Sequence, residues 1–165
     1  MRSWISTTYE GVRSHFGNYY ALSHAVGDHY IACGTMVAAN VTLKKHSPTY
    51  MYRFTQSSPY AEYNHTHTSE IPYVWASKQK FTASDDVLVR EVVRRWINMA
   101  TSGSPNVGPF PSTIWPLYSP SAPSVWELSG ASRGVLLPPY EQSICSEWNR
   151  FFFSALPGPG AMVGQ

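Results

Sequence analysis

Charge is scarce in this chain. Only 13% of its 165 residues are Asp, Glu, Lys or Arg, and no run of Lys or Arg could track a phosphate backbone, which argues against nucleic acid as a partner. No stretch approaches the roughly 20 apolar residues that cross a bilayer, and Phe151 to Leu156 is far too short, so no membrane span is expected. The N-terminus, MRSWISTTYEG, has no apolar segment of the kind that marks a secretory signal. If the protein is exported, its signal lies upstream of this chain. There are only two cysteines, Cys33 and Cys145, and no H-E-x-x-H helix, so zinc has little to bind.

Aromatic residues are plentiful, with six Trp and eleven Tyr. A soluble protein has to bury most of that surface between packed elements. The hydrophobic share of 43% is sufficient for a core. Two glycosylation sequons, at Asn40 (Asn40-Val41-Thr42) and Asn64 (Asn64-His65-Thr66), fit an exported protein, although such tripeptides are common by chance.

Along the chain, residues 1 to 19 are polar with no clear period and read as a connecting segment. Tyr20 to Lys45 reads as helix, broken near Gly27-Asp28 and Cys33-Gly34 and ended by Pro48. Thr49 to Thr55, TYMYRFT, is a strand whose aromatics at 50, 52 and 54 share one face. A polar loop, Ser57 to Glu70, leads to the apolar run Ile71 to Trp75. Val89, Val92, Val93, Trp96, Ile97 and Ala100 recur at helical spacing and predict a helix over Asp85 to Ala100, capped by Thr82 or Ser84 and ended by Gly103. Ser102 to Ser124 is a Pro- and Gly-rich loop. Strands follow at Val125 to Leu128 and Val135 to Leu137, then a helix at about Glu141 to Leu156, and PGPGAMVGQ is a frayed tail.

Four blocks in order carry a resemblance: VGDHYIAC (Val26 to Cys33) before the TYMYRF strand; HTSEIPYVW (His67 to Trp75); RRWINMATSGSPN (Arg94 to Asn106) with WPLY from Trp115; and CSEWNRF (Cys145 to Phe151). Together they resemble the C-terminal third of the type-B carboxylesterase and cholinesterase family. Gly34, where the family usually has Pro, and Thr68, where it often has Gly, depart from the pattern without removing a reacting group. The resemblance implies an α/β fold: residues 1–156 as the C-terminal portion of an α/β-hydrolase domain, incomplete by itself, with 157–165 a flexible tail. It implies a small-molecule carboxylic ester as substrate, no cofactor, the missing N-terminal part of the same fold as partner, and secretion.

His67 is the catalytic candidate. An esterase of this fold needs an imidazole on a loop after a late strand, taking the proton of a nucleophilic serine and returning it to the leaving alcohol. A lone His in a polar loop is usually just solvated, and the HTSEIPYVW context is what singles this one out. Neighbouring His65 lacks that context. His65, His67 and Glu70 also invite a metal reading, but the expected role of Glu70 is to anchor the loop by hydrogen bonds.

One G-x-S-x-G match exists, Gly130-Ala131-Ser132-Arg133-Gly134. A nucleophile elbow opens a helix and precedes the histidine, whereas this match leads into a strand-like run and follows His67, so Ser132 is read as a decoy. Glu10-Gly11 resembles the family's acid but lies too close to the Asp28 block and is read as coincidence. The alternatives are therefore an ester hydrolase, to which this chain supplies the histidine while being inactive alone, and a non-catalytic adhesion or interaction module or truncated pseudoenzyme. The resemblance further implies a disulfide between Cys33 and Cys145; two free thiols is the competing expectation.

Overall fold

The computed structural model describes residues 1–45, 47–57, 66–77, 81–108, 113–130, 133–136 and 139–154. The chain forms two compact units: Met1–Val41 with Pro138–Gln165, and Thr42–Leu137. Among the described residues, no helix is long and apolar enough to cross a membrane.

The first unit is helical. It contains α1 (Arg2–Thr8), α2 (Glu10–Phe16), α3 (Asn18–Gly27), a π-helical turn (Asp28–Ala32), most of α4 (Cys33–Leu43) and α7 (Pro139–Ser154). Helices over residues 1 to 19 correct the expectation of a connecting segment. Ile5, Tyr9 and Val12 do recur at helical spacing, but Ser, Thr and Gly of low helix propensity surround them. Packing overrides that propensity, because Tyr9 is buried with Trp4, Ile5 and Val12 in one cluster with Ala21, Ala25 and Trp148. Gly17 turns the chain from α2 into α3 at φ 89°, a left-handed value suited to glycine.

The breaks expected at Gly27-Asp28 and Cys33-Gly34 are not interruptions. Helical backbone runs through both, and the π turn lies between them. A turn closed by i to i+5 bonds brings residues five apart toward one face. Asp28 thereby accepts a 2.8 Å hydrogen bond from the Tyr9 hydroxyl, and Cys33 meets Cys145 in a disulfide with Cα atoms 4.9 Å apart. The Tyr9 hydroxyl also accepts from Trp148 Nε1 at 2.8 Å. Burial, together with the neighbouring Asp28 carboxylate, raises the Tyr9 pKa above its ordinary value even though the Trp148 bond opposes the shift, so Tyr9 serves as a neutral bridge. The GDHY and CSEWN blocks therefore meet in one buried chain, Trp148 to Tyr9 to Asp28, beside the disulfide.

The second unit carries a three-stranded sheet, ordered β1 (Tyr52–Phe54), β2 (Ser124–Leu128), β3 (Arg133–Leu136). β1 runs parallel to β2, with Tyr52 opposite Trp126 and Phe54 opposite Leu128. β2 and β3 are antiparallel. The short helix α5 (Ile71–Val74) and the long helix α6 (Ala83–Ser102) complete the unit. The predicted strand Thr49 to Thr55 is observed as Tyr52–Phe54, and just ahead of it the Met51 carbonyl accepts from both Trp126 N at 2.8 Å and Trp115 Nε1 at 2.9 Å. Tyr73, Leu88, Val89, Val92, Trp115, Trp126 and Leu128 form the core.

α6 begins one turn ahead of its apolar stripe, where Thr82 and Asp85 form a capping box. It ends at Gly103, whose φ of 73° closes the helix in the left-handed region. The RRWINMATSGSPN and WPLY blocks meet here. Fully buried Arg95 donates to Glu91 Oε1, Asn106 Oδ1 and the Thr113 carbonyl, each at 3.1 Å. Asn106 in turn holds the Trp115 backbone at both its N–H and its carbonyl, at 2.9 Å.

Candidate functional site

His67 lies in a turn at residues 67–70, after β1 and before α5. β1 and β2 are parallel, so the segments leaving Phe54 and Leu128 emerge at the same, carboxyl end of the sheet, the edge at which open α/β sheets present their ligands. Thr55 N and Gln56 N both donate to the Leu128 carbonyl, at 3.0 and 3.2 Å, and the Gln56 side chain accepts from Gly130 N at 2.9 Å. That contact brings the start of the histidine segment beside the GASRG segment.

His67 is exposed, and among the described residues no hydrogen bond holds its imidazole. Its position is therefore set by its flanks. Thr68, directly after it, has φ 73°, a left-handed conformation that is costly for a β-branched residue. Ser69 is buried, and its hydroxyl finds no partner among the described residues. Glu70 is half-buried, and its main-chain carbonyl accepts from Tyr73 N at 2.9 Å and Val74 N at 3.1 Å, closing the first turn of α5 whatever its side chain does. Burial, then the charge of nearby Glu70, raises the pKa of Tyr52 on β1.

The apolar run at 71–75 is a single helical turn, with Pro72 in its first positions, where a missing N–H costs nothing. Tyr73 is completely buried, its ring 5.1 Å from Phe54 and 4.6 Å from Phe81. Its hydroxyl donates to Asp85 Oδ1 at 2.7 Å, and Gln56 Nε2 reaches the same oxygen at 3.1 Å. Asp85 Oδ2 accepts from the Thr82 N–H at 2.9 Å and from the Thr82 hydroxyl at 2.7 Å. Burial, the largest single influence, works against ionisation of Asp85, but the bonds from Tyr73, Thr82 and Gln56 together hold its pKa below the ordinary carboxylate value. Asp85 was legible in the sequence only as the start of a helix.

The other sequence candidates are dispersed. Gly130 lies in the turn after β2, and Gly134 lies within β3 opposite Trp126, so the GASRG segment joins two antiparallel strands instead of opening a helix. Ser132 lies outside the described residues, as do His65, Asn64 and the tail 157–165. Glu10 opens α2 in the first unit and pairs with exposed Arg13 at 2.6 Å. Asn40 is half-buried near the end of α4. The disulfide lies wholly within the first unit.

A model of the carboxylesterase family matches residues 6–143. The acetylcholinesterase of Bungarus fasciatus is 29% identical over 144 residues, which cover 81% of this chain and 23% of that protein. The acylcarnitine hydrolase of Mus musculus is 31% identical over 85 residues, 45% of this chain and 15% of that protein. Among solved structures, a carboxylesterase of Geobacillus stearothermophilus superposes with a TM-score of 0.70 at 19% identity, covering 85% of this chain and 31% of that one, a likeness of fold. The chain thus spans less than a quarter of the length of either curated relative.

Proposed function

Because this chain belongs to the carboxylesterase family, we propose that it carries the histidine loop of a carboxylic ester hydrolase whose serine and acidic residue lie outside these 165 residues. On this reading residues 1–156 are the C-terminal part of the family's α/β-hydrolase domain. The observation that carries it is the position of His67: exposed, on the segment leaving a parallel strand at its carboxyl end, inside the stretch that the family matches.

In the complete protein the serine hydroxyl attacks the ester carbonyl as His67 takes its proton. The tetrahedral intermediate collapses, and His67 returns that proton to the departing alcohol. Water then repeats the cycle to release the acid and regenerate the serine. The disulfide and the two sequons support folding in an oxidising, extracytoplasmic compartment.

The test has two arms. The 165-residue chain alone should neither hydrolyse p-nitrophenyl acetate nor react with a fluorophosphonate probe. In the complete protein, His67→Ala should reduce turnover by orders of magnitude while His65→Ala leaves it nearly unchanged. Labelling of Ser132 in the isolated chain, or equal losses from the two histidine variants, would refute the assignment.

A further inference from the structure

The segment that bears His67 is bounded by Gln56 on one side and Tyr73 on the other. Both of these residues hydrogen-bond to a single carboxylate oxygen, Asp85 Oδ1, at 3.1 and 2.7 Å. A capping box at the start of α6 uses Thr82 and the other oxygen, Oδ2, at 2.7 to 2.9 Å. Capping alone therefore leaves Oδ1 free of any duty, yet it is the oxygen that both ends of the segment reach. Asp85 is only 2% exposed, and a buried carboxylate is tolerated when its acceptor sites are filled, as these are.

We propose that Asp85 is a positioning residue that clasps both ends of the His67 segment to the first turn of α6. This meaning for catalysis rests on the reading of His67 given above. The imidazole has no hydrogen bond among the described residues, so its placement is inherited from the ends of its segment. Holding both ends of the segment to one point restricts where His67 can sit, and a reacting group has to be held to within about 0.5 Å to be effective. The 20-residue helix α6 is the rigid body to which the segment is referred. Gln56 extends the clasp to the β2–β3 turn through Gly130, so the two loops that leave the carboxyl ends of β1 and β2 are tied to one anchor.

Hydrogen exchange on the whole chain tests the clasp. Tyr73→Phe and Gln56→Ala each remove one arm, and Asp85→Asn weakens both; the first two leave the capping box intact and guard against a variant that fails to fold. Amides of residues 66–77 should exchange about tenfold faster in each, while β2 and the later turns of α6 stay protected. Unchanged exchange at 66–77, or a rise spread evenly over the second unit, overturns the clasp. In the complete protein, Tyr73→Phe should lower kcat about tenfold with KM nearly constant, because the ester still binds but meets a misplaced base. Faster exchange with unchanged kcat overturns the positioning role. Should His67→Ala itself retain turnover, the histidine assignment fails, and the exchange result still stands or falls separately.

Discussion

Arg95 lies with its guanidinium carbon 4.4 Å from the centre of the Trp126 ring, at the middle of the second unit's core. Burial pulls its pKa down and the partner Glu91 pulls it back; an arginine so placed stays charged. Arg95→Ala would leave Glu91, Asn106 and the Thr113 carbonyl without their shared donor and open a void against Trp126. A loss of about 3–5 kcal/mol is expected, as for a broken buried pair. Arg95→Met, which fills the void, should lose less. Urea unfolding followed by Trp fluorescence measures both, and equal losses would show that charge and not volume dominates.

Thr68→Gly should stabilise the protein. A non-glycine residue in the left-handed region costs roughly 1–2 kcal/mol, and Thr68 sits there at φ 73° with an exposed side chain that gives little in return. The greater freedom of glycine in the unfolded chain offsets part of the gain, leaving an expected net of about 0.5–1 kcal/mol. A lower denaturation midpoint in the variant would mean that Thr68 contributes contacts worth more than its strain.

Asp85 should make stability depend on pH at the acid end. Its folded pKa lies below the unfolded value, near 3.8. Between the two the unfolded chain binds a proton that the folded chain does not, so stability rises with pH across that window. The contribution is complete above the unfolded value and is lost as the pH falls through the folded one. The stability gap between the wild type and Asp85→Asn, read by urea titration, should therefore narrow from pH 7 to pH 3. A constant gap would show that Asp85 is not held ionised by its partners.

The Cys33–Cys145 bridge closes a loop of 112 residues, for which the chain-entropy model gives about 4–5 kcal/mol as an upper figure. Protein folded under oxidising conditions should show no free thiol on alkylation, and the Cys33→Ser, Cys145→Ser double variant should melt well below it. Two free thiols in a folded sample would remove both the bridge and the case for an oxidising compartment.

Local pattern was enough to read α6: the apolar residues from Val89 to Ala100 carry the helical period, and Thr82 and Gly103 are the residue types that begin and end a helix. The hairpin strands and α7 were legible for the same reason. The bridge and the role of His67 came from the resemblance of whole blocks and not from spacing. Sequence could not reveal the helices α1 and α2, because their few apolar residues are diluted among weak helix formers and gain their worth only against Trp148, far along the chain. Nor could it show that the breaks at Gly27 and Cys33 are spanned by a π turn, whose register serves Tyr9 and Cys145. The same holds for Asp85, whose residue type announces a helix cap while its second oxygen serves Gln56 and Tyr73. Periodicity and capping are written within a few residues of one another, so sequence determines them. The partner of a buried polar group is chosen by which distant segments the core brings together, and only the tertiary structure decides that.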